Sequence, residues 1–198
     1  MPKIILIRHP ETIWNVEKRF QGQKEGLITE EGKQLSQQVI EEVSNQTINV
    51  IFYANNMRTK FVADLLSQAH PEAKIIMDER LNERFMGEYE GLFEKELNKS
   101  TRFNPKNYKA RYFWKPPSGE SHFQLAQRLI EFLGMLEEKF LDQDNVVCVT
   151  SSGVIKNILR IEHHLTLEQM YNLKIDNLEI TYLRHEIPRR QGQKRRTP

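Results

Sequence analysis

Ile4-Ile5-Leu6-Ile7-Arg8-His9-Pro10-Glu11-Thr12 decides the fold. Four consecutive apolar residues read as a strand buried on both faces, the pattern of a parallel sheet covered by helices. The run stops on a charged, proline-containing segment, so polar chemistry begins at the strand's carboxyl end. Working outward, Val50-Ile51-Phe52-Tyr53, Lys74-Ile75-Ile76-Met77 and Val146-Val147-Cys148-Val149 repeat the short apolar run. Glu179 to Leu183 is a last strand, more alternating and so nearer an edge. Helical patterns lie between these strands. Leu35, Val39 and Val43 follow Thr29-Glu30-Glu31, and Phe61, Val62, Leu65 and Leu66 share one face. A long stripe comprises Phe123, Ala126, Leu129, Ile130, Leu133, Leu136 and Phe140, and a further helix runs around Ile155 to Ile161. Strands alternating with helices predict an α/β fold, a three-layer α/β/α sandwich around a mostly parallel central sheet.

The 198 residues suit one domain, assigned to 1–184, with a basic tail at 185–198. Hydrophobic residues at 38% and charged ones at 28% exclude a disordered or collagen-like chain. No apolar run approaches the ~18–20 residues of a membrane span, and the N-terminus lacks the longer apolar core of a secretory signal. A single cysteine excludes an internal disulfide, so a cytoplasmic location is expected. The net charge of +2 conceals an uneven distribution. Residues 184–198 carry +5 and residues 99–115 carry +6, which leaves −9 on the rest.

Ligands of open α/β sheets gather beyond the carboxyl ends of the strands. Strand one runs directly into Arg8-His9, strand two is followed by Arg58 at a helix start, and strand four ends at Thr150-Ser151-Ser152-Gly153. Two arginines, a histidine and two helix N-termini around one crevice make an anion pocket, because guanidinium forks and free backbone N–H groups both favour phosphate.

Six blocks in order carry a family resemblance. They are Arg8-His9-Pro10-Glu11-Thr12 with Trp14-Asn15; Arg19-Phe20-Gln21-Gly22 with Leu27 to Gly32; Met57-Arg58-Thr59; Leu81-Asn82-Glu83-Arg84 with Gly87 to Leu92; Pro117-Ser118-Gly119-Glu120-Ser121; and Ser152-Gly153-Val154-Ile155-Lys156. From about Lys3 to Leu183 the chain resembles the histidine phosphatase (phosphoglycerate-mutase-like) superfamily. That resemblance implies a metal-independent phosphatase, without a cofactor, acting on a small phosphorylated substrate. His9 is then the nucleophile that forms a phosphohistidine intermediate. Arg8, Arg58 and Asn15 hold the phosphoryl oxygens, Glu83 is the acid and base, and Gln21, Gly22 and Arg84 contact substrate.

Two departures stand out. Pro10 replaces the usual glycine, removing an N–H but keeping a carbonyl that can orient the His9 ring. At the end of strand four the resemblance calls for a second histidine, where this chain has Ser151 as the remaining phosphate contact. His163 is ten residues past Gly153, roughly 15 Å along a helix at ~1.5 Å per residue, too far to substitute. By analogy with a lost oxyanion donor, the penalty is on the order of 10²–10³ in rate, or about 3–4 kcal/mol. A weak phosphatase is therefore expected. The alternative is a pseudo-phosphatase that binds a phosphorylated ligand or a partner. A mutase is the lesser alternative, since Leu81-Asn82-Glu83-Arg84 is mutase-like but the chain is short and Met86 replaces the usual tyrosine.

The other side chains have blander readings. His70, His122, His163, His164 and His185 have no motif support and read as exposed or capping residues. Cys148 reads as a buried thiol, and Ser118-Gly119-Glu120-Ser121 as a helix start. Residues 99–117 form a basic, aromatic lid or insertion, with Phe103, Tyr108, Tyr112, Phe113 and Trp114 among the cations. An anion-attracting lid is preferred there to a nucleic-acid surface. The tail reads as a solvated extension.

Overall fold

In the computed structural model, which describes residues 2–96, 107–141 and 144–183, the opening apolar run is strand β1 (Lys3–Arg8) near the centre of a five-stranded sheet. The other strands are β2 (Val50–Tyr53), β3 (Lys74–Met77), β4 (Asn145–Thr150) and β5 (Ile180–Leu183). Their order is β3-β2-β4-β1-β5, all parallel except β5, which pairs antiparallel with β1. The helices are α1 (Ile13–Val16), α2 (Glu30–Val43), α3 (Met57–Ala69), α4 (Tyr108–Phe113), α5 (His122–Lys139), α6 (Ser152–Glu162) and α7 (Leu167–Asn172).

The pleat sends alternate side chains to opposite faces. Ile4, Leu6, Phe52, Val146 and Cys148 pack on Leu125, Leu129, Phe132 and Leu136 of α5 and on Val154, Ile155 and Ile158 of α6. Ile5, Ile7, Ile51, Val147 and Val149 pack on Val39, Ile40 and Val43 of α2 and on Val62, Ala63 and Leu66 of α3. Two cores on one sheet make the expected three-layer α/β/α sandwich. Each fully buried Leu or Ile contributes about 1.5–3 kcal/mol.

Two expected faces are rotated. On α5, Phe123 and Ile130 are exposed, while Leu125 and Phe132 take the core. On α2, Leu35 is exposed and Ile40 is buried. Both helices bury the residues that pack on the sheet, a tertiary choice that one-dimensional spacing leaves open by one residue in a turn. β3 is an edge strand, so Ile75, Ile76 and Met77 remain partly exposed. The edge position of β5 matches its alternating sequence. The tail at 185–198 and residues 99–106 of the lid lie outside the described residues.

Candidate active site

The register of β1 on β4 pairs Arg8 with Thr150, so the next residues of the two strands, His9 and Ser151, leave the sheet side by side. The His9 N–H donates to the Thr150 carbonyl at 2.8 Å. His9 is 4% exposed. Its Nδ1 lies 2.7 Å from the Pro10 carbonyl, an acceptor only, so Nδ1 carries the proton and Nε2 keeps its lone pair. Burial, then the Arg58 and Arg8 guanidinium groups, hold the imidazole well below its ordinary pKa, overriding the opposing pull of the Pro10 carbonyl. The ring is therefore neutral at physiological pH. The carbonyl retained at Pro10 does the orienting that the sequence anticipates.

Arg58 enters at the second position of α3, whose N-cap Asn56 accepts the Thr59 N–H at 3.1 Å. The Arg58 side chain is buried, with Nη1 donating to the Lys24 carbonyl at 2.8 Å and Nη2 to the Gly22 carbonyl at 2.7 Å. Gln21, turned so that both ends of its amide are satisfied, donates to Thr12 Oγ1 at 2.9 Å and accepts from Arg58 Nη1 at 3.1 Å. Gln21 and Gly22 thus line the cleft and also brace Arg58. Gly22 has a φ of +54°, and a Cβ there would sit 2.0 Å from Glu90 Oε1. Arg8 is held by the Ile175 carbonyl at 2.6 Å. Arg8 Nε, Arg58 Nε and Ser151 Oγ are buried polar atoms without a hydrogen-bond partner among the described residues. Such atoms are costly unless something pairs with them.

The Glu83 carboxylate accepts Arg84 N–H at 2.6 Å through Oε1 and Gly153 N–H at 3.0 Å through Oε2. Its loop is pinned from two sides. Arg128 of α5 donates to the Asn82 carbonyl at 2.6 Å and pairs with Glu120 at 2.8 Å, and Thr150 Oγ1 donates to the Leu81 carbonyl at 2.6 Å. Asn15 Oδ1 accepts from Thr12 N–H at 3.1 Å and Asn177 Nδ2 at 3.3 Å, so the amide NH2 is its uncommitted end.

Arg8, His9, Asn15, Gln21, Gly22, Arg58, Glu83 and Arg84 all line one cleft of about 370 Å³ beyond the strand ends. Ser151 does not. It is 1% exposed and N-caps α6 without a side-chain hydrogen bond, and Ser152 and Gly153 line the cleft in its place. Six cations (Arg8, Arg19, Arg58, Arg84, Arg111, Lys156) share the lining with the carboxylates Glu83 and Glu94. Among the described residues no group of three His, Cys, Asp or Glu side chains could hold a metal ion, and no helix is long and apolar enough to cross a membrane.

His122 departs from its expected role as an exposed or capping residue. It is the first residue of α5 and lines the cleft with Lys156, Arg111, Met170 and Tyr171. Only its place directly after the capping Ser121 marks it in the sequence, and that signal speaks of helix geometry alone. His163 and His70 do cap α6 and α3, and Ser121 starts α5 with a capping box to Gln124, as expected. Cys148 is fully buried, and burial pushes its thiol pKa up.

The family model of the histidine phosphatase superfamily (branch 1) matches residues 4–195. The chain belongs to that superfamily. It is 29% identical over 181 residues to a metal-independent phosphoserine phosphatase of Arabidopsis thaliana, covering 88% of this chain and 74% of that protein. It is 28% identical over 180 residues to a 2,3-bisphosphoglycerate-dependent phosphoglycerate mutase of Gloeobacter violaceus, covering 89% and 82%. The native structure of a mycobacterial glucosyl-3-phosphoglycerate phosphatase superposes with a TM-score of 0.80 at 22% identity, covering 91% of this chain and 89% of that one, a likeness of fold. Histidine phosphatase relatives of this chain thus include both phosphatases and mutases.

Proposed function

We propose that this superfamily member hydrolyses a phosphate monoester through a phosphohistidine on His9. The observation that carries this reading is the His9 ring itself, neutral, buried between Arg8 and Arg58, with its proton tied to the Pro10 carbonyl. Nε2 attacks phosphorus, the P–N bond forms and the P–O bond to the leaving group breaks. The Glu83 carboxyl gives its proton to the departing oxygen. Water then attacks the phosphohistidine, Glu83 takes the water proton, and cleavage of the P–N bond restores neutral His9. Arg8, Arg58 and the Asn15 NH2 hold the nonbridging oxygens, where the charge spreads. Gln21 and Gly22 serve by bracing Arg58, and Arg84 meets the substrate beyond Glu83. The described part of the basic segment, residues 107–117, serves as a lid, a reading supported by Arg111 in the cleft lining.

Ser151 favours a slow enzyme, because its hydroxyl lies outside the cleft lining where the resemblance calls for a histidine. The same observation supports the second reading, a phosphate-binding pseudo-phosphatase. Phosphate release from 4-nitrophenyl phosphate separates the two. Slow turnover that His9→Ala abolishes supports the enzyme. Micromolar binding of inorganic phosphate without turnover supports the pseudo-phosphatase.

A further inference from the structure

The phosphoryl transfer proposed above gives no task to His122, Arg111 and Lys156, which line the same cleft. Asn157 is fully buried on α6, and its Nδ2 lies 2.8 Å from the Gly153 carbonyl and 3.1 Å from His122 Nδ1. The carbonyl partner fixes this atom as the amide nitrogen, which can only donate, so His122 Nδ1 is the acceptor and the ring proton sits on Nε2. The ring is held edge-on to Tyr171 at 5.4 Å between centroids, and Arg111 stacks on Tyr171 at 4.0 Å. Among the described residues, Nε2 makes no hydrogen bond, and neither Arg111 nor Lys156 forms an ion pair. A fixed neutral donor therefore stands beside two cations that form no ion pair, in a lining where cations outnumber carboxylates. Burial and the neighbouring Arg84, Arg111 and Lys156 keep the imidazole from adding a further positive charge.

We propose that His122, fixed by Asn157 as the Nε2–H tautomer, is a specificity-determining residue that, with Arg111 and Lys156, receives a second anionic group on the substrate. This rests on the phosphatase reading of the cleft and narrows its substrate to phosphate monoesters bearing a further carboxylate or phosphate. The neutral donor supplies direction while the cations supply attraction. An ester without a second anionic group leaves Nε2–H and both cations without an acceptor, the situation that gives a polar site its power to reject.

The test compares 3-phosphoglycerate with glycerol 3-phosphate, esters that differ in a carboxylate against a hydroxymethyl group. Wild type should favour the carboxylate at least about tenfold in kcat/KM. His122→Phe should lower that ratio about tenfold, and His122→Gln, which keeps an N–H donor, should restore much of it. Because the readout is a ratio within each variant, general loss of activity does not affect it. A wild-type ratio near one, or a ratio unmoved by His122→Phe, overturns the proposal. If neither ester is turned over, release of phosphate from 4-nitrophenyl phosphate decides the phosphatase reading separately, and calorimetric affinities of wild type for the two esters decide the subsite. A tenfold preference then supports it, and equal affinities overturn it. Nitrogen-15 spectra of labelled histidine should show His122 neutral with its proton on Nε2 at pH 7. A proton on Nδ1, or a charged ring, overturns the tautomer on which the proposal stands.

Discussion

Glu83 Oε2 accepts the backbone N–H of Gly153 at 3.0 Å, joining the loop after β3 to the first turn of α6. A Cβ on residue 153 would stand 2.3 Å from Glu83 Oε1. Gly153→Ala should therefore push the carboxylate from its place while helping the helix by about 0.5–1 kcal/mol. The expected result is a fall in kcat of at least about tenfold with little change in thermal midpoint. Phosphate-release kinetics and a thermal melt check it. Unchanged kcat would show that Glu83 has no demanding position to keep.

Arg58→Lys tests the guanidinium fork. Lysine keeps the charge but cannot reach the Lys24 and Gly22 carbonyls together in the geometry that Nη1 and Nη2 provide. Leaving one buried carbonyl unpaired costs about 1–3 kcal/mol, and kcat/KM should fall on the order of 10²-fold. Urea denaturation and steady-state kinetics measure the two losses. A variant with wild-type stability and activity would mean that charge alone suffices.

Glu90 supports that same fork from below. It is 6% exposed, and its Oε1 accepts Gln23 N–H at 2.7 Å and Met86 N–H at 3.2 Å. Glu90→Leu would strand both donors and should cost about 1–3 kcal/mol, whereas Glu90→Gln keeps an acceptor and should cost less. Phosphate affinity should weaken in the same order, because the loop that Glu90 anchors carries the carbonyls under Arg58. Equal stability of the two variants would refute the assignment.

What was legible follows from where each contact originates. Arg8, His9 and Arg58 stand at a strand end or a helix start, and local sequence reaches such positions because chain direction alone brings them to one edge of the sheet. Glu83, in the loop after β3, was legible only through the family resemblance. Lys156, Arg111 and Tyr171 come from three different helices, and only packing makes them neighbours. His122 is the clearest case, since its partner Asn157 is 35 residues away and no spacing rule connects them. The rotated stripe of α5 has a related cause. Phe123 and Ile130 share a helical face with Ala126 and Leu133, but the sheet covers the neighbouring face, centred on Leu129.

Stability should fall with acid in a window set by two histidines. His9 is held well below its ordinary value of 6.5 by burial, Arg58 and Arg8, and His122 by burial, Arg84, Arg111 and Lys156. As pH drops below 6.5 the unfolded chain takes up protons that the folded chain refuses. Their contribution is thus complete above that pH and is lost as pH falls toward the folded values. Each histidine adds up to about 1.4 kcal/mol per pH unit to the slope. His122→Gln should flatten urea-derived stability between pH 6.5 and about 5 by up to that amount. Parallel slopes for variant and wild type would rule out a buried neutral His122.

Ser151→His addresses the slow turnover expected of the protein. Ser151 sits at the level of His9 on the adjacent strand, yet its hydroxyl is buried without a partner and caps nothing. Replacing it therefore breaks no hydrogen bond, and the cost is confined to fitting a larger ring into a site that is 1% exposed. A longer side chain from this backbone position adds an N–H donor beside the phosphoryl group, where one oxyanion contact is worth on the order of 10²–10³ in rate. Turnover of 4-nitrophenyl phosphate by a folded Ser151→His protein should rise toward that factor, and His9→Ala in the same background should abolish it. Should the folded variant be no faster, Ser151 is not what limits the rate, and the barrier lies instead in the groups that hold Glu83 or Arg58.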